Sequence, residues 1–169
     1  MTLNYKVGDI CDAVISGEVV AIGHQANCFN TMNSGVAKAI RLRLPCAWEA
    51  DQLTGKGDIH KFGDISVGQL RNCLTGEPTG LVYNLYGQYN YGYDAAAYTN
   101  YLKLEEALVA MRDDLLTGRD LWNVGFPKIG AGLGGGDWDT IAEIINDVFD
   151  DRFNVTIYVL REEDVPRRS

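Results

Sequence analysis

The stretch Leu121-Trp122-Asn123-Val124-Gly125-Phe126-Pro127-Lys128-Ile129-Gly130-Ala131-Gly132-Leu133-Gly134-Gly135-Gly136-Asp137 reads as a buried strand, a glycine-rich loop and the first cap of a helix. Leu121 to Phe126 is a short, mostly apolar run that stops at Pro127. Asp137 suits an N-cap or first-turn acid, and Trp138, Ile141, Ile145, Val148 and Phe149 recur at the spacing of one helix face. Such a loop aims backbone N–H groups and the positive end of a helix at one point, which attracts phosphate without Lys or Arg.

The same order occurs upstream. Val19-Val20-Ala21-Ile22-Gly23 reads as a strand running into His24-Gln25-Ala26-Asn27. The loop Asn30-Thr31-Met32-Asn33-Ser34-Gly35 follows, then a helix from Val36 to Leu44 that stops before Pro45. Two strand–loop–helix units pointing the same way imply a crevice at the carboxyl ends of the strands, suited to a diphosphate and its sugar. Between them lie strands predicted at Asp64 to Leu70 and Leu81 to Tyr86, and a helix from about Tyr98 to Leu116 whose stripe is Tyr101, Leu104, Leu108, Met111 and Leu115. A last strand, Asn154 to Leu160, precedes a charged tail from Arg161 that is expected to fray. Alternating strands and helices predict a layered α/β fold with residues 1–169 as a single domain.

Composition narrows the functions. A formal net charge of −8 over 169 residues argues against a basic footprint for nucleic acid or an anionic membrane. Cys11, Cys28, Cys46 and Cys73 form no CxxC pair, and with only His24 and His60 beside them no metal-ligand spacing exists. Neither a metal nor another cofactor is expected. Met1 to Asp12 lacks the basic and apolar stretches of a signal peptide, and no apolar run approaches the roughly 18 residues of a membrane span, so reduced cytoplasm is the expected compartment. Gly130, Gly132 and Gly135 satisfy GxGxxG, but only one helix and one strand follow, which does not suit a dinucleotide-binding domain. Neither loop ends in the Gly-Lys-Ser/Thr of a P-loop.

Several residues are candidates for chemistry. His24, Asn27 and Asn30 follow one strand, and His24 is the evident general base there, unless it is a hydrogen-bonded core histidine. Asp137 would assist from the facing loop, or serve only as a cap. Seven of the nine tyrosines lie between Tyr83 and Tyr101, where they would stack on a base or ribose, pack internally or meet another subunit.

Taken together the motifs resemble a macrodomain. Val7-Gly8-Asp9-Ile10, the strand into Ala26-Asn27, Met32-Asn33-Ser34-Gly35-Val36-Ala37 and Pro127-Lys128-Ile129-Gly130-Ala131-Gly132-Leu133 occur in that family's order across nearly the whole chain. The resemblance implies a three-layer α/β/α fold with a central mixed, mostly parallel sheet and ADP-ribose in a cleft at the strand ends. By position, Asp9 would bind the adenine amino group and Ile10 the base. Asn27 and the Gly35 loop would address the distal ribose, with Asn30, Ser34 and Val36 also at the ligand. Gly130, Ala131, Gly132, Leu133, Gly134 and Gly135 would wrap the diphosphate, with Gln88, Tyr89 and Lys128 also at the ligand.

Val82-Tyr83-Asn84-Leu85-Tyr86-Gly87-Gln88 and the His24 region most resemble the branch containing the yeast-type ADP-ribose-1″-phosphate phosphatase. The related terminal ADP-ribose protein glycohydrolase has a lysine after the corresponding central strand and an aspartate directly after Gly-x-Gly-Leu. Here residues around Gly87-Gln88 and Gly134 stand at those places, so its lysine-adduct mechanism is not implied. Three expectations follow: a phosphatase using His24 and Asp137, a non-catalytic ADP-ribose reader, or a hydrolase of ADP-ribosyl esters on protein or nucleic acid. A phage-like gene product is also expected from the resemblance.

Overall fold

The computed structural model describes residues 3–92, 98–117 and 122–166; Tyr93, Leu121 and the end of the tail lie outside them. Six strands, β1 (Asn4–Val7), β2 (Ala21–Gln25), β3 (Ile65–Arg71), β4 (Pro78–Leu85), β5 (Trp122–Phe126) and β6 (Phe153–Val159), form one sheet in the order β1-β6-β5-β2-β4-β3. All neighbours pair parallel except β3, which runs antiparallel to β4.

Strand periodicity divides the core into two layers. Ala21, Tyr83, Leu85, Val124 and Phe126 face α4 (Tyr101–Leu115) and α5 (Trp138–Val148). Ile22 and Val82 face the opposite layer, made by α1 (Ile10–Ser16), α2 (Gly35–Arg43) and α3 (Pro45–Gln52). Leu104, Leu108, Met111 and Leu115 are fully or almost fully buried. Each such side chain contributes about 1.5–3 kcal/mol through burial.

The elements depart from the sequence reading at identifiable points. β2 begins at Ala21 and runs to Gln25, so His24 and Gln25 are strand residues rather than loop residues. Pro45 ends one helix and also starts another, because its missing N–H costs nothing at the first helical position of α3. α4 starts at Tyr101 rather than near Tyr98, since the Asn100 side chain accepts the Lys103 N–H at 3.0 Å. Tyr101 itself is 39 % exposed, and its hydroxyl accepts the Asp137 N–H, so it leaves the core stripe. The tail does not simply fray at Arg161: Glu162–Asp164 make one 3-10 turn, with Arg161 paired to Asp164.

Layer packing depends on close approach at Gly68. A Cβ there would lie 2.6 Å from the Cys46 carbonyl carbon and 2.7 Å from the Ala47 nitrogen, so glycine allows α3 to rest on β3. Gly68→Ala is expected to destabilise the fold by about 1–3 kcal/mol, as overpacking against backbone does. Denaturant unfolding measures this, and an unchanged midpoint would contradict the packing described.

Candidate functional site

β2 and β5 are adjacent and parallel, so the loops leaving their carboxyl ends emerge side by side. The first turns toward α2 in one layer and the second toward α5 in the other. This divergence opens a cleft of about 490 Å³ between residues 24–37, 88–92 and 127–134. Its volume falls within the roughly 300–1,000 Å³ of small-molecule sites.

The first wall is the loop into α2. Asn27 forms a local turn, accepting the Phe29 N–H at 2.8 Å and donating to the Thr31 hydroxyl at 2.7 Å. Ser34 occupies the cap position of α2 without a side-chain cap bond. The first backbone bond of that helix runs from Lys38 N–H to Ser34 O at 3.2 Å, so the N–H groups of residues 35–37 precede the intrahelical ladder at the cleft.

The second wall is the glycine-rich loop. Gly130 and Gly135 have φ of 72° and 71°, a left-handed conformation that glycine adopts without a Cβ penalty. Gly136 N–H bonds to Gly130 O at 2.7 Å and Gly135 N–H to Gly132 O at 3.0 Å. The N–H groups of Gly132, Leu133 and Gly134 make no hydrogen bond among the described residues. The loop is held from below: the Gly134 carbonyl accepts the Tyr98 and Thr99 N–H groups, and the Thr99 hydroxyl donates to Gly130 O at 2.8 Å. Gln25 Nε2 donates to Thr99 Oγ1 at 2.9 Å and to Gln88 Oε1 at 2.7 Å, joining both walls at the floor.

Electrostatically, the cleft differs from the chain as a whole. No carboxylate lines it among the described residues, whereas Lys128 does, and that lysine makes no ion pair there. An acidic protein thus keeps one surface suited to an anion. No group of three His, Cys, Asp or Glu side chains among the described residues is arranged to hold a metal ion.

Of the residues singled out from sequence, His24, Asn27, Ser34, Gly35, Val36, Gln88, Lys128, Gly130, Gly132, Leu133 and Gly134 line the cleft. Asp9, Ile10, Asn30, Tyr89, Ala131, Gly135 and Asp137 are not on its wall. Asp9 caps α1 through the Cys11 and Asp12 N–H groups and pairs with Arg43. Asn30, with φ of 59°, braces the loop from behind by donating to Thr54 O and accepting from Lys61. Tyr89 packs between Phe29 and Phe62 and donates to Gly57 O. Asp137 caps α5, accepting the Thr140 N–H at 3.0 Å and its hydroxyl at 2.8 Å. The sequence reading passed over Gln25 and Thr99, whose polar side chains form no motif. It identified the tyrosine cluster but not its division: Tyr83 and Tyr86 are buried, while Tyr91 lines the cleft.

His24 is 1 % exposed, and its Nε2 lies 2.6 Å from Asn84 Oδ1. Burial pushes the ring down to about 4, with the hydrogen bond to Asn84 opposing the shift only in part. The imidazole is therefore neutral at pH 7 and a weaker proton acceptor than an exposed one, in the hydrogen-bonded core setting that the sequence left open for it.

No family model matches the chain. A Bacteroides thetaiotaomicron protein of unknown function superposes with a TM-score of 0.78 at 23 % identity, covering 94 % of this chain and 98 % of that one. The DarG macrodomain of Mycobacterium tuberculosis gives 0.68 at 20 % identity, covering 93 % and 97 %. Thermosipho africanus DarTG, solved in complex with ADP-ribose, gives 0.67 at 15 % identity over 98 % of this chain and 44 % of its own. The sheet order, the two helical layers and these superpositions define a three-layer macrodomain fold. In sequence, an uncharacterized 17.5 kDa protein from the tk-vs intergenic region of Enterobacteria phage T4 is 34 % identical over 161 residues, 93 % of this chain and 96 % of that protein. The chain belongs to the same family as that phage protein. Among the described residues, no helix is long and apolar enough to cross a membrane.

The buried histidine makes stability depend on pH. Between its ordinary 6.5 and its folded value of about 4, the unfolded chain binds a proton that the folded chain does not, so stability falls as pH drops through that window. Denaturant titrations from pH 7 to pH 4 should show a steeper loss for the wild type than for His24→Gln. Equal slopes would mean that His24 is not held neutral by burial.

Proposed function

We propose that the cleft binds ADP-ribose or a phosphorylated or ester-linked derivative of it. The observation that carries this reading is the convergence of two sets of available N–H groups, residues 35–37 and 132–134, on a cleft that no carboxylate lines among the described residues. Backbone donors at a helix N-terminus and in a glycine loop suit a diphosphate, which matches an acidic chain that among the described residues offers Lys128 as the one lysine or arginine of the lining. Thermosipho africanus DarTG, which shares the fold, is a protein solved with this ligand.

The finer reading is hydrolysis of ADP-ribose 1″-phosphate. Water attacks phosphorus, the bond from phosphorus to the ribose oxygen breaks, and the water's protons are shared between the released ribose hydroxyl and phosphate. His24 Nδ1 has no hydrogen-bond partner and would orient water or a ribose hydroxyl by accepting from it. Asp137 is not used, since its carboxylate is committed to the α5 cap. The second reading is recognition of ADP-ribose without turnover, favoured by a cleft wall that carries no carboxylate among the described residues. Release of ADP-ribose from modified protein or nucleic acid would be a third outcome, distinguished by the substrate supplied.

Calorimetric titration with ADP-ribose tests the binding reading. In Gly134→Ala the added Cβ would lie 2.5 Å from Thr99 Oγ1 and 2.8 Å from Gly130 O, displacing the loop. Affinity should fall by about tenfold or more, equivalent to about 1.4 kcal/mol. Phosphate release from ADP-ribose 1″-phosphate that is lost in His24→Ala supports hydrolysis; binding without release supports a reader, and absence of binding contradicts the proposal.

A further inference from the structure

The strand register sets three polar residues in one row across the sheet. His24 on β2 pairs with Asn84 on β4, and Asn84 pairs with Ser66 on β3. His24 and Asn84 are buried, and α3 covers the row. Most buried polar atoms are hydrogen-bonded, and the bonds made in this row have a determined direction.

Asn84 Nδ2 lies 2.9 Å from the Ala47 carbonyl oxygen and 2.9 Å from Ser66 Oγ. A backbone carbonyl can only accept, so the amide nitrogen must face it, and Oδ1 must face His24. An amide oxygen also only accepts, so the ring proton resides on His24 Nε2, 2.6 Å away. On a neutral imidazole Nδ1 then carries no proton, and it is buried without a hydrogen-bond partner on a residue that lines the cleft.

The row continues away from the cleft in the same sense. Ser66 Oγ receives the Asn84 proton and can pass its own to Tyr86 Oη at 2.8 Å, whose hydroxyl donates to Asp51 Oδ1 at 2.7 Å. Asp51 is fully buried, and its Oδ2 accepts from Gln52 at 3.3 Å, so both carboxylate oxygens act as acceptors. A terminal acceptor orients every donor before it, and bonds in such a chain polarise one another.

We propose that Asn84 is a positioning residue for the cleft: backed by Ser66, Tyr86 and Asp51, it holds His24 in the Nε2–H tautomer so that a proton-free Nδ1 is available to accept a hydrogen bond from ligand or bound water. This deepens the ADP-ribose reading and rests on it for the identity of the ligand. The tautomer is a property of the ligand-free protein and is tested without that reading.

Two-bond proton–nitrogen NMR spectra of ¹⁵N-labelled protein at pH 7 resolve the tautomer, and His60→Gln assigns the two histidines. The ligand-free wild type should show His24 with a protonated Nε2 and a bare Nδ1. Asn84→Ala should introduce an Nδ1–H population and weaken ADP-ribose binding by about tenfold, the scale of one lost hydrogen bond. An Nδ1–H or doubly protonated His24 in the wild type overturns the proposal whether or not the variant folds. An unchanged tautomer in a folded Asn84→Ala protein overturns it too. If the wild-type tautomer is as expected but ADP-ribose does not bind, the ligand reading fails while the tautomer assignment stands.

Discussion

The parallel pairing of β2 with β5 is the constraint on which the site depends. It brings two strand ends side by side and sends the following chains into opposite helical layers. A cleft at the carboxyl edge follows from that divergence, as in open α/β sheets generally. The loops then need only glycine at the left-handed positions and a floor to keep their N–H groups directed inward. Gln25, Thr99 and Gln88 form that floor through side-chain hydrogen bonds joining both walls.

Charge distribution supports the same division of labour. Two acidic residues that the sequence offered for the site are used as caps: Asp9 for α1 and Asp137 for α5. Each satisfies N–H groups at a helix start and stays off the cleft wall, where a carboxylate would oppose an anionic ligand. On the other side of the first loop, Lys61 is buried against Asn30 and Thr54 and lies over the Tyr86 ring. Its ammonium is lowered by burial, with Asp51 opposing that shift. The loop between β2 and α2 is thus braced by a polar interior as well as by apolar packing.

Much of the fold was legible because its signals are local. Glycine density around Gly130 to Gly136, the apolar faces of α4 and α5, and the strand runs of β4 to β6 each carry a period or punctuation that sequence displays. β1 was not read as a strand because four residues at a sheet edge, three of them exposed, leave no alternation to detect. α1 and α3, of seven and eight residues, are too short for a helical stripe to stand out. The site was legible at its glycines and at Asn27, Ser34 and Lys128, but not at Gln25 or Thr99, whose meaning comes from cross-loop contacts. His24 shows the limit most plainly. The sequence left a general base and a core histidine open, and β2, ending two residues beyond Gly23, makes it a buried ring whose partner is sixty positions away.

The central claim is that the two loops bind ADP-ribose through backbone N–H groups, and backbone amide NMR shifts on adding the ligand test it most directly. The account predicts saturable shifts concentrated at residues 34–37 and 130–134, with the β3–β4 turn around Gly76 unaffected. Saturable shifts elsewhere with those amides unmoved, or no shifts at all, would contradict it.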